Sequence, residues 1–304
     1  MKVLIFGAGA IGSFVGAMLS QQHEVILVGR KPHVEKINEE GLKIDGVLTK
    51  LVKVSAREEI PGDDWDFVFI TTKAYDTRNA VREILQAIDK GTIVSMQNGL
   101  NNLEVIAKEL EVSGKKLEIG ACITSMGVTF LEPGKIRFNG WGRTVVGSSS
   151  HNVATTLCKM LNDAMISTEV SDNILQDIWV KGVVNSAINP LTVIFNVNNG
   201  MLLRNAYLKE MLVSVAAESE EIGKVSGYIS PDVDCVSQTL KVAEQTAENY
   251  SSMLQDVMKG KRTEILEING HIVEVAERTG KKAPLNRFLV NAVSAIQSTG
   301  RRLC

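Results

Sequence analysis

Lys2-Val-Leu-Ile-Phe6-Gly7-Ala8-Gly9-Ala10-Ile11-Gly12-Ser-Phe-Val-Gly16 is the stretch on which the reading of this chain turns. The apolar run from Val3 to Phe6 has the composition of a buried strand. It leads directly into Gly7-x-Gly9-x-x-Gly12, and an apolar, helix-like segment follows. A dinucleotide-binding βαβ unit demands that order. In such a unit Gly7 turns the chain tightly off the strand, and Gly9 has no Cβ to block a pyrophosphate. Gly12 lets the helix lie close to the sheet. The start of the helix then faces the phosphates with N–H groups that have no helical partner. The run Gly7, Ala8, Gly9, Ala10, Ile11 and Gly12 is therefore the candidate phosphate cradle.

Lys2 followed by an apolar run also imitates a secretory leader. Such a leader carries an unbroken apolar core of roughly 7–15 residues ahead of a small-residue cleavage site. Here glycines interrupt the run, and Gln21-Gln22-His23-Glu24 leads into a second strand, so the segment reads as mature protein. No other stretch approaches the ~18 consecutive apolar residues that span a bilayer. The 304 residues suit two domains of ordinary size. A net charge of −2 lacks the basic face that a nucleic acid or an anionic membrane would require. Cys122, Cys158, Cys235 and Cys304 are scattered, with no Cys-x-x-Cys pair and no clustered histidines. Free thiols in a reducing cytoplasm are the expectation, with neither a disulfide framework nor a metal site.

Strand and helix signals alternate through the first half. After Val3–Phe6 they predict a helix over 11–21, a strand over 24–28 and a helix over 31–40 that Gly41 ends. A polar-apolar alternation covers 42–54. Strands follow at 66–71, 92–96 and 118–125, helices at 77–88 and 103–110, and a glycine-rich β segment at 136–146. This pattern predicts a doubly wound, mostly parallel α/β sheet with helices on both faces. From about Val153 onward the strand signals stop. Amphipathic stretches at 153–162, 174–189, 208–225, 232–248 and 263–277 read as helices. The expected domains are 1–167 and 168–304.

The second strand ends Val28-Gly29-Arg30-Lys31. An NAD site places an acid there for the ribose 2′-hydroxyl, whereas Arg30 suits a 2′-phosphate, so NADP(H) is the expected cofactor. Guanidinium can fork its donors to a phosphate, which lysine does less well. The third strand ends at Thr71-Thr72-Lys73 and the next at Met96-Gln97-Asn98-Gly99. Ligands of an open parallel sheet sit outside the carboxyl ends of its strands, which brings Lys73 and Asn98 to the same crevice.

Lys181-Gly-Val-Val-Asn185-Ser-Ala-Ile-Asn189-Pro190-Leu-Thr192 is the sharpest cluster. Steps of four residues turn a helix by only about 40°, so Lys181, Asn185 and Asn189 share a face of an otherwise apolar helix. Two amides and one charge make a poor solvated stripe, and polar groups on such a helix must be satisfied by something. Pro190 owes the Ser186 carbonyl an N–H that it lacks, which predicts a kink. Downstream, Ser252 followed by Gln255 reads as a capping box that starts a helix at Met253, a seat for a substrate carboxylate.

Together these motifs resemble the ketopantoate reductase family over essentially the full length. The resemblance rests on GAGAIGS at 7–13, TTKAYDT at 71–77, MQNGL at 96–100 and KGVVNSAINPLT at 181–192. NNG at 198–200, NYSSMLQD at 249–256 and TEILEINGHIVE at 263–274 complete it. It implies a Rossmann domain followed by an all-helical domain like that of 6-phosphogluconate dehydrogenase, with the active site in the cleft between. It also implies NADPH-dependent reduction of 2-dehydropantoate to (R)-pantoate, on the route to pantothenate and coenzyme A. Position by position, Lys181 is the implied general acid, and Asn98 lies beside nicotinamide and substrate. Asn185, Asn189, Asn199, Asn249, Ser251 and Ser252 are the implied substrate ligands. Lys73 and Glu264 meet the cofactor, and Glu264 also helps to place Lys181.

Two positions depart from the pattern of that family. Val128 stands where relatives carry a smaller Ala beside the nicotinamide, and Phe138 stands where many have His. Two other readings stay open: another 2-keto acid or β-hydroxyacid dehydrogenase of this fold, or a non-catalytic NADP-binding regulatory protein. The latter would need no proton donor on the helix. The implied partner is a small 2-keto acid, with no nucleic acid and no membrane. A homodimer through the helical half is left open.

Overall fold

The structure, a computed structural model, describes residues 1–299, so Cys304 lies outside the described residues. The chain divides into two units. The first holds Met1–Gln97 and Asn102–Ile174; the second holds Asn98–Asn101 and the chain from Leu175 onward. The first unit runs on to Ile174 because a short strand at Glu169–Val170 pairs back into its sheet.

In chain order the first unit runs β1 (Lys2–Phe6), α1 (Ala10–Leu19), β2 (Glu24–Val28), α2 (Lys31–Glu40), β3 (Leu42–Gly46) and β4 (Lys50–Val52). It continues with β5 (Ser55–Arg57), β6 (Phe67–Ile70), α3 (Thr77–Ala87), β7 (Thr92–Ser95), α4 (Asn102–Ser113) and β8 (Glu118–Thr124). β9 (Gly127–Glu132), β10 (Lys135–Gly140), β11 (Thr144–Ser148), α5 (His151–Asp163) and β12 (Glu169–Val170) complete it. Eight strands form the main sheet in the order β12-β11-β8-β7-β6-β1-β2-β5. Every pairing in it is parallel except β8 with β11.

Its central strands β1, β6 and β7 are buried on both faces, as near-continuous apolar runs require. Side chains alternate between the faces with period two. Leu4, Phe6, Val68, Ile70 and Ile93 join Val81, Ile84 and Ile106 of α3 and α4 in one core. Val3, Ile5, Leu27, Phe69 and Val94 join Phe14 and Val15 of α1 and Leu157 of α5 in the other.

The glycine-rich stretch expected as one β segment over 136–146 is two strands in different sheets. β11 closes the main sheet, while β10 enters a second sheet of order β4-β3-β10-β9 that the sequence reading did not foresee. Its hairpin turns at Pro133-Gly134, with Gly134 at φ +75°. Phe138 of β10 is fully buried and stacks on Phe14 of α1, ring centroids 4.4 Å apart. His33 of α2 fastens the same sheet. The Gly134 N–H donates to His33 Nδ1 (2.9 Å), so Nε2 carries the proton and donates to Ser13 Oγ (3.0 Å). Burial pulls the His33 imidazole down to about 4.

The second unit is helical: α6 (Ile174–Phe195, its first residue still in the first unit), α7 (Met201–Arg204), α8 (Ala206–Val225), α9 (Cys235–Gln245) and α10 (Ser252–Met258). A π turn at Leu266–Gly270 then leads into α11 (His271–Arg278) and α12 (Pro284–Ser298). Of the stretch expected as one helix over 263–277, the part from Leu266 is helical without interruption, its first turn wound as π. By length and composition α6 passes as a membrane span, but 67% of its apolar window is buried inside the protein, so it is the unit's core helix. It runs through Pro190 for 22 residues. It ends where Asn196 enters the left-handed region at φ +51° and the Val197 N–H donates to the Thr192 carbonyl (3.2 Å), a Schellman-type close.

Candidate functional site

The first unit presents a nucleotide cradle built from β1, α1 and β2. Gly7 sits at φ +112°, in the left-handed region, and the N–H groups of Gly7 and Ala8 both donate to the Val28 carbonyl (3.0 and 2.8 Å). A Cβ at Gly12 would strike the Gly7 carbonyl oxygen and Thr71 Oγ1, which explains why the helix can start so close to the sheet. A Cβ at Gly9 would instead point into open space, with only the Gly7 oxygen at 3.9 Å. That opening is the room a pyrophosphate needs.

Helical bonding starts with Ser13 N–H to Gly9 O (3.0 Å), so Ala10, Ile11 and Gly12 present N–H groups without helical acceptors. The first turn of α1 carries no acidic residue. The cradle therefore fits a dinucleotide, and Gly7, Ala8, Gly9, Ala10, Ile11 and Gly12 are the residues that would hold its phosphates.

Arg30 is exposed at the N-cap position of α2. It follows Gly29, whose Cα faces the Ala8 methyl so closely that an added Cβ would lie 2.8 Å from it. A second cation, Arg57, ends β5 opposite Val28, and its carbonyl accepts from the Gly29 N–H (3.0 Å). Arg57 has no mark of its own in the sequence, because it ends a three-residue strand beyond the alternation over 42–54. Lys73 is half-buried just beyond β6. The carbonyls of Thr72 and Lys73 receive the Gln97 amide (3.1 and 3.4 Å), which orders the loop after β6 from the end of β7. Val128 lies half-buried on β9, in register with Phe138.

The second unit carries most of the other candidates. Lys181 Nζ donates to Asn98 Oδ1 at 2.9 Å. Gly182, beside the lysine, makes room for Leu100: a Cβ there would collide with the leucine side chain. Loop 98–101 is therefore seated directly on α6. Lys181 and Asn185 are half-buried, and Asn189 is buried.

One turn on, Thr192 Oγ1 lies 2.6 Å from Ser251 Oγ. Ser251 also accepts from the Leu254 N–H (3.1 Å), so Ser251, not Ser252, is the N-cap of α10. The capping box read at Ser252–Gln255 is thereby corrected. Serine recurs at both positions, and the Leu254 N–H bond together with the extended backbone at Ser251 marks the cap. Ser252 is exposed in the first turn, while the Gln255 amide donates to the Tyr250 carbonyl (3.0 Å).

Asn199 donates its backbone N–H to the Asn249 carbonyl (2.9 Å) and its Nδ2 to Thr246 Oγ1 (2.8 Å). Its Oδ1 is buried with no donor among the described residues. A buried orphan acceptor of that kind suits a ligand hydroxyl. Glu264 is buried four residues ahead of Ile268, whose N–H donates to the Glu264 carbonyl (3.1 Å).

The sequence model of the family described as ketopantoate reductase PanE/ApbA matches residues 3–151, and that of its C-terminal domain matches 173–297. The chain belongs to this family. A 2-dehydropantoate 2-reductase of Pyrococcus horikoshii is 40% identical over 304 residues, 99% of each chain. The ketopantoate reductase family member of Ralstonia eutropha, solved by crystallography, superposes with a TM-score of 0.90 at 31% identity, covering 99% of both chains. A D-mandelate dehydrogenase solved with NADH and anilino(oxo)acetate gives a TM-score of 0.87 at 26% identity, again over 99% of both chains.

Proposed function

We propose that this member of the ketopantoate reductase family is a 2-dehydropantoate 2-reductase that uses NADPH and forms (R)-pantoate for the route to pantothenate and coenzyme A. The observation that carries the reading is the ammonium of Lys181 held against Asn98 on an otherwise apolar helix, in a chain whose relatives of 40% identity bear that name. Bound NADPH supplies a hydride to the keto carbon. The negative charge that this leaves on the substrate oxygen is met by Lys181, which donates the proton that completes the alcohol.

An ammonium has three donors, and the one spent on Asn98 fixes its direction. Asn185, Asn189, Asn199, Asn249, Ser251 and Ser252 take the carboxylate and hydroxyl of the substrate. Of these, Ser251 acts mainly by ordering the start of α10, because its hydroxyl is already shared with Thr192 and Leu254. Arg30 and Lys73 meet the cofactor, Arg30 at the 2′-phosphate. Val128 and Glu264 complete its surroundings, and Glu264 steadies Lys181.

The reading extends to work in the cytoplasm, where Cys122, Cys158 and Cys235 keep the free thiols they have. It also extends to a homodimer through the helical unit, supported by the exposed Met201, Tyr207 and Met211, and sedimentation velocity tests it.

The similarity to a D-mandelate dehydrogenase supports one second reading, a reductase of aromatic 2-keto acids. Oxidation of NADPH by the purified protein, followed optically with 2-dehydropantoate and with the keto acid of mandelate, separates the two. The larger kcat/KM names the substrate, and turnover of neither overturns both.

A further inference from the structure

Pro190 leaves the Ser186 carbonyl without the N–H that an unbroken helix would give it. Asn269, on the π turn, replaces it: its Nδ2 donates to Ser186 O at 2.9 Å and to Asn286 Oδ1 at 2.9 Å. Asn286 passes the connection on to Ser219 Oγ (3.0 Å) and Glu218 Oε1 (2.9 Å). Glu218 in turn accepts from the N–H groups of Leu285 (3.0 Å) and Asn286 (2.8 Å) at the start of α12. Turning the Asn269 amide over would aim its oxygen at two acceptors, so its partners fix the donor direction.

Asn269 is fully buried, and its Oδ1 meets no donor among the described residues. A helix without the proline, facing an apolar side chain, would avoid both the orphan carbonyl and the orphan amide oxygen. The arrangement therefore calls for a reason beyond stability.

The reason lies on the other side of the same turn. The Glu267 carbonyl accepts from the Leu100 N–H at 3.2 Å, and Leu100 belongs to the loop that sets Asn98 on Lys181. Two residues apart, one turn thus grips both the helix that bears the lysine and the loop that bears its partner. We infer that Asn269 is a positioning residue: through the Ser186 carbonyl that Pro190 leaves open it fastens α6 to the turn that holds loop 98–101, and so keeps Lys181 and Asn98 in register. For its kinetic readout the inference rests on the proposed reduction; for its structural readout it does not.

The double variant Pro190→Ala/Asn269→Leu tests it. Alanine at 190 returns a backbone N–H to the Ser186 carbonyl, and Ser219 Oγ (3.4 Å) still faces Asn286 Oδ1, so most of the stability lost in Asn269→Leu is recovered while the tie to the π turn stays cut. The expected double variant melts like the wild type and binds NADPH within about twofold of it. Its kcat is lower by roughly 10–100-fold, the scale of a small misplacement of reacting groups. Hydrogen exchange at the Leu100 amide accelerates at least about tenfold.

Wild-type kcat together with wild-type Leu100 protection would overturn the inference and leave Asn269 as the filler of one carbonyl. Should the double variant not fold, Asn269→Gln shifts the donor by one methylene and the same two readouts apply. If the wild type fails to reduce 2-dehydropantoate, the proposed function falls. Leu100 exchange then decides the inference alone, and unchanged protection overturns it.

Discussion

Lys181 is the residue on which the proposed chemistry concentrates, because a hydride acceptor becomes an alcohol only when its oxygen receives a proton. Lys181→Ala removes the donor and leaves Asn98 without the bond it now accepts. The expected outcome is a kcat lower by roughly 10²–10⁴-fold, the range of a positioned acid, with NADPH binding retained. Single-turnover oxidation of NADPH checks this, and wild-type turnover would remove Lys181 from the mechanism. At the cofactor's other end, Arg30→Asp exchanges a phosphate donor for an acceptor of ribose hydroxyls. The ratio of kcat/KM for NADPH over NADH should fall by at least about tenfold, and an unchanged ratio would detach Arg30 from the 2′-phosphate. Both residues stand out in the sequence as candidates because strand ends and four-residue helical steps mark them locally. Asn269 does not, since it answers a carbonyl 83 residues away in sequence. The missing N–H at Pro190 announced that some group had to fill the place, but not which one.

The element that governs cofactor capture is the β1-to-α1 turn, and its weak point is Gly12. A methyl there meets the Gly7 backbone oxygen, Thr71 Oγ1 and, at 3.0 Å, Ile5 Cγ2, and two of these three belong to the first strand and its turn. Backbone cannot rotate away as a side-chain tip can, so Gly12→Ala must push α1 off the sheet. We expect a loss of about 1–3 kcal/mol in urea unfolding, as overpacking usually costs, and an NADPH affinity reduced along with it. Equal affinity in calorimetric titration would show that the helix start tolerates the shift. Elements with a strong period were legible: β2, α2 and most of the strands of the main sheet stand within a residue or two of expectation. The failures share a cause. β9, β10 and β5 are short or glycine-flanked, and whether β10 joins one sheet or another depends on a parallel partner, β3, far upstream. α12 went unread even though Pro284 opens it at the first helical position and Leu289 and Val293 bury one face.

At the scale of the molecule, each unit has apolar cores of its own, and the alternation of strands followed by helices alone was enough to foresee two units. The second sheet of the first unit was not foreseen, and its attachment has a measurable signature in His33. That ring accepts from the Gly134 N–H and donates to Ser13, so it joins α1, α2 and the β9–β10 turn only while neutral. Protonation would set an N–H against the Gly134 N–H. The folded imidazole titrates near 4, below the ordinary histidine value of 6.5. Between those values the unfolded chain binds a proton that the folded one refuses, so stability falls as pH drops through that window. The contribution is fully present above 6.5, reaches at most about 3 kcal/mol, and is lost by the time pH passes through 4. Carboxylates titrate in the same region, so the comparison must be with His33→Leu. At pH 7 this variant should be about 1–3 kcal/mol less stable, since it strands the Gly134 N–H. Its deficit in urea unfolding should shrink steadily toward pH 4. If wild type and variant instead lost stability in parallel on acidification, His33 would not be the group that holds the second sheet.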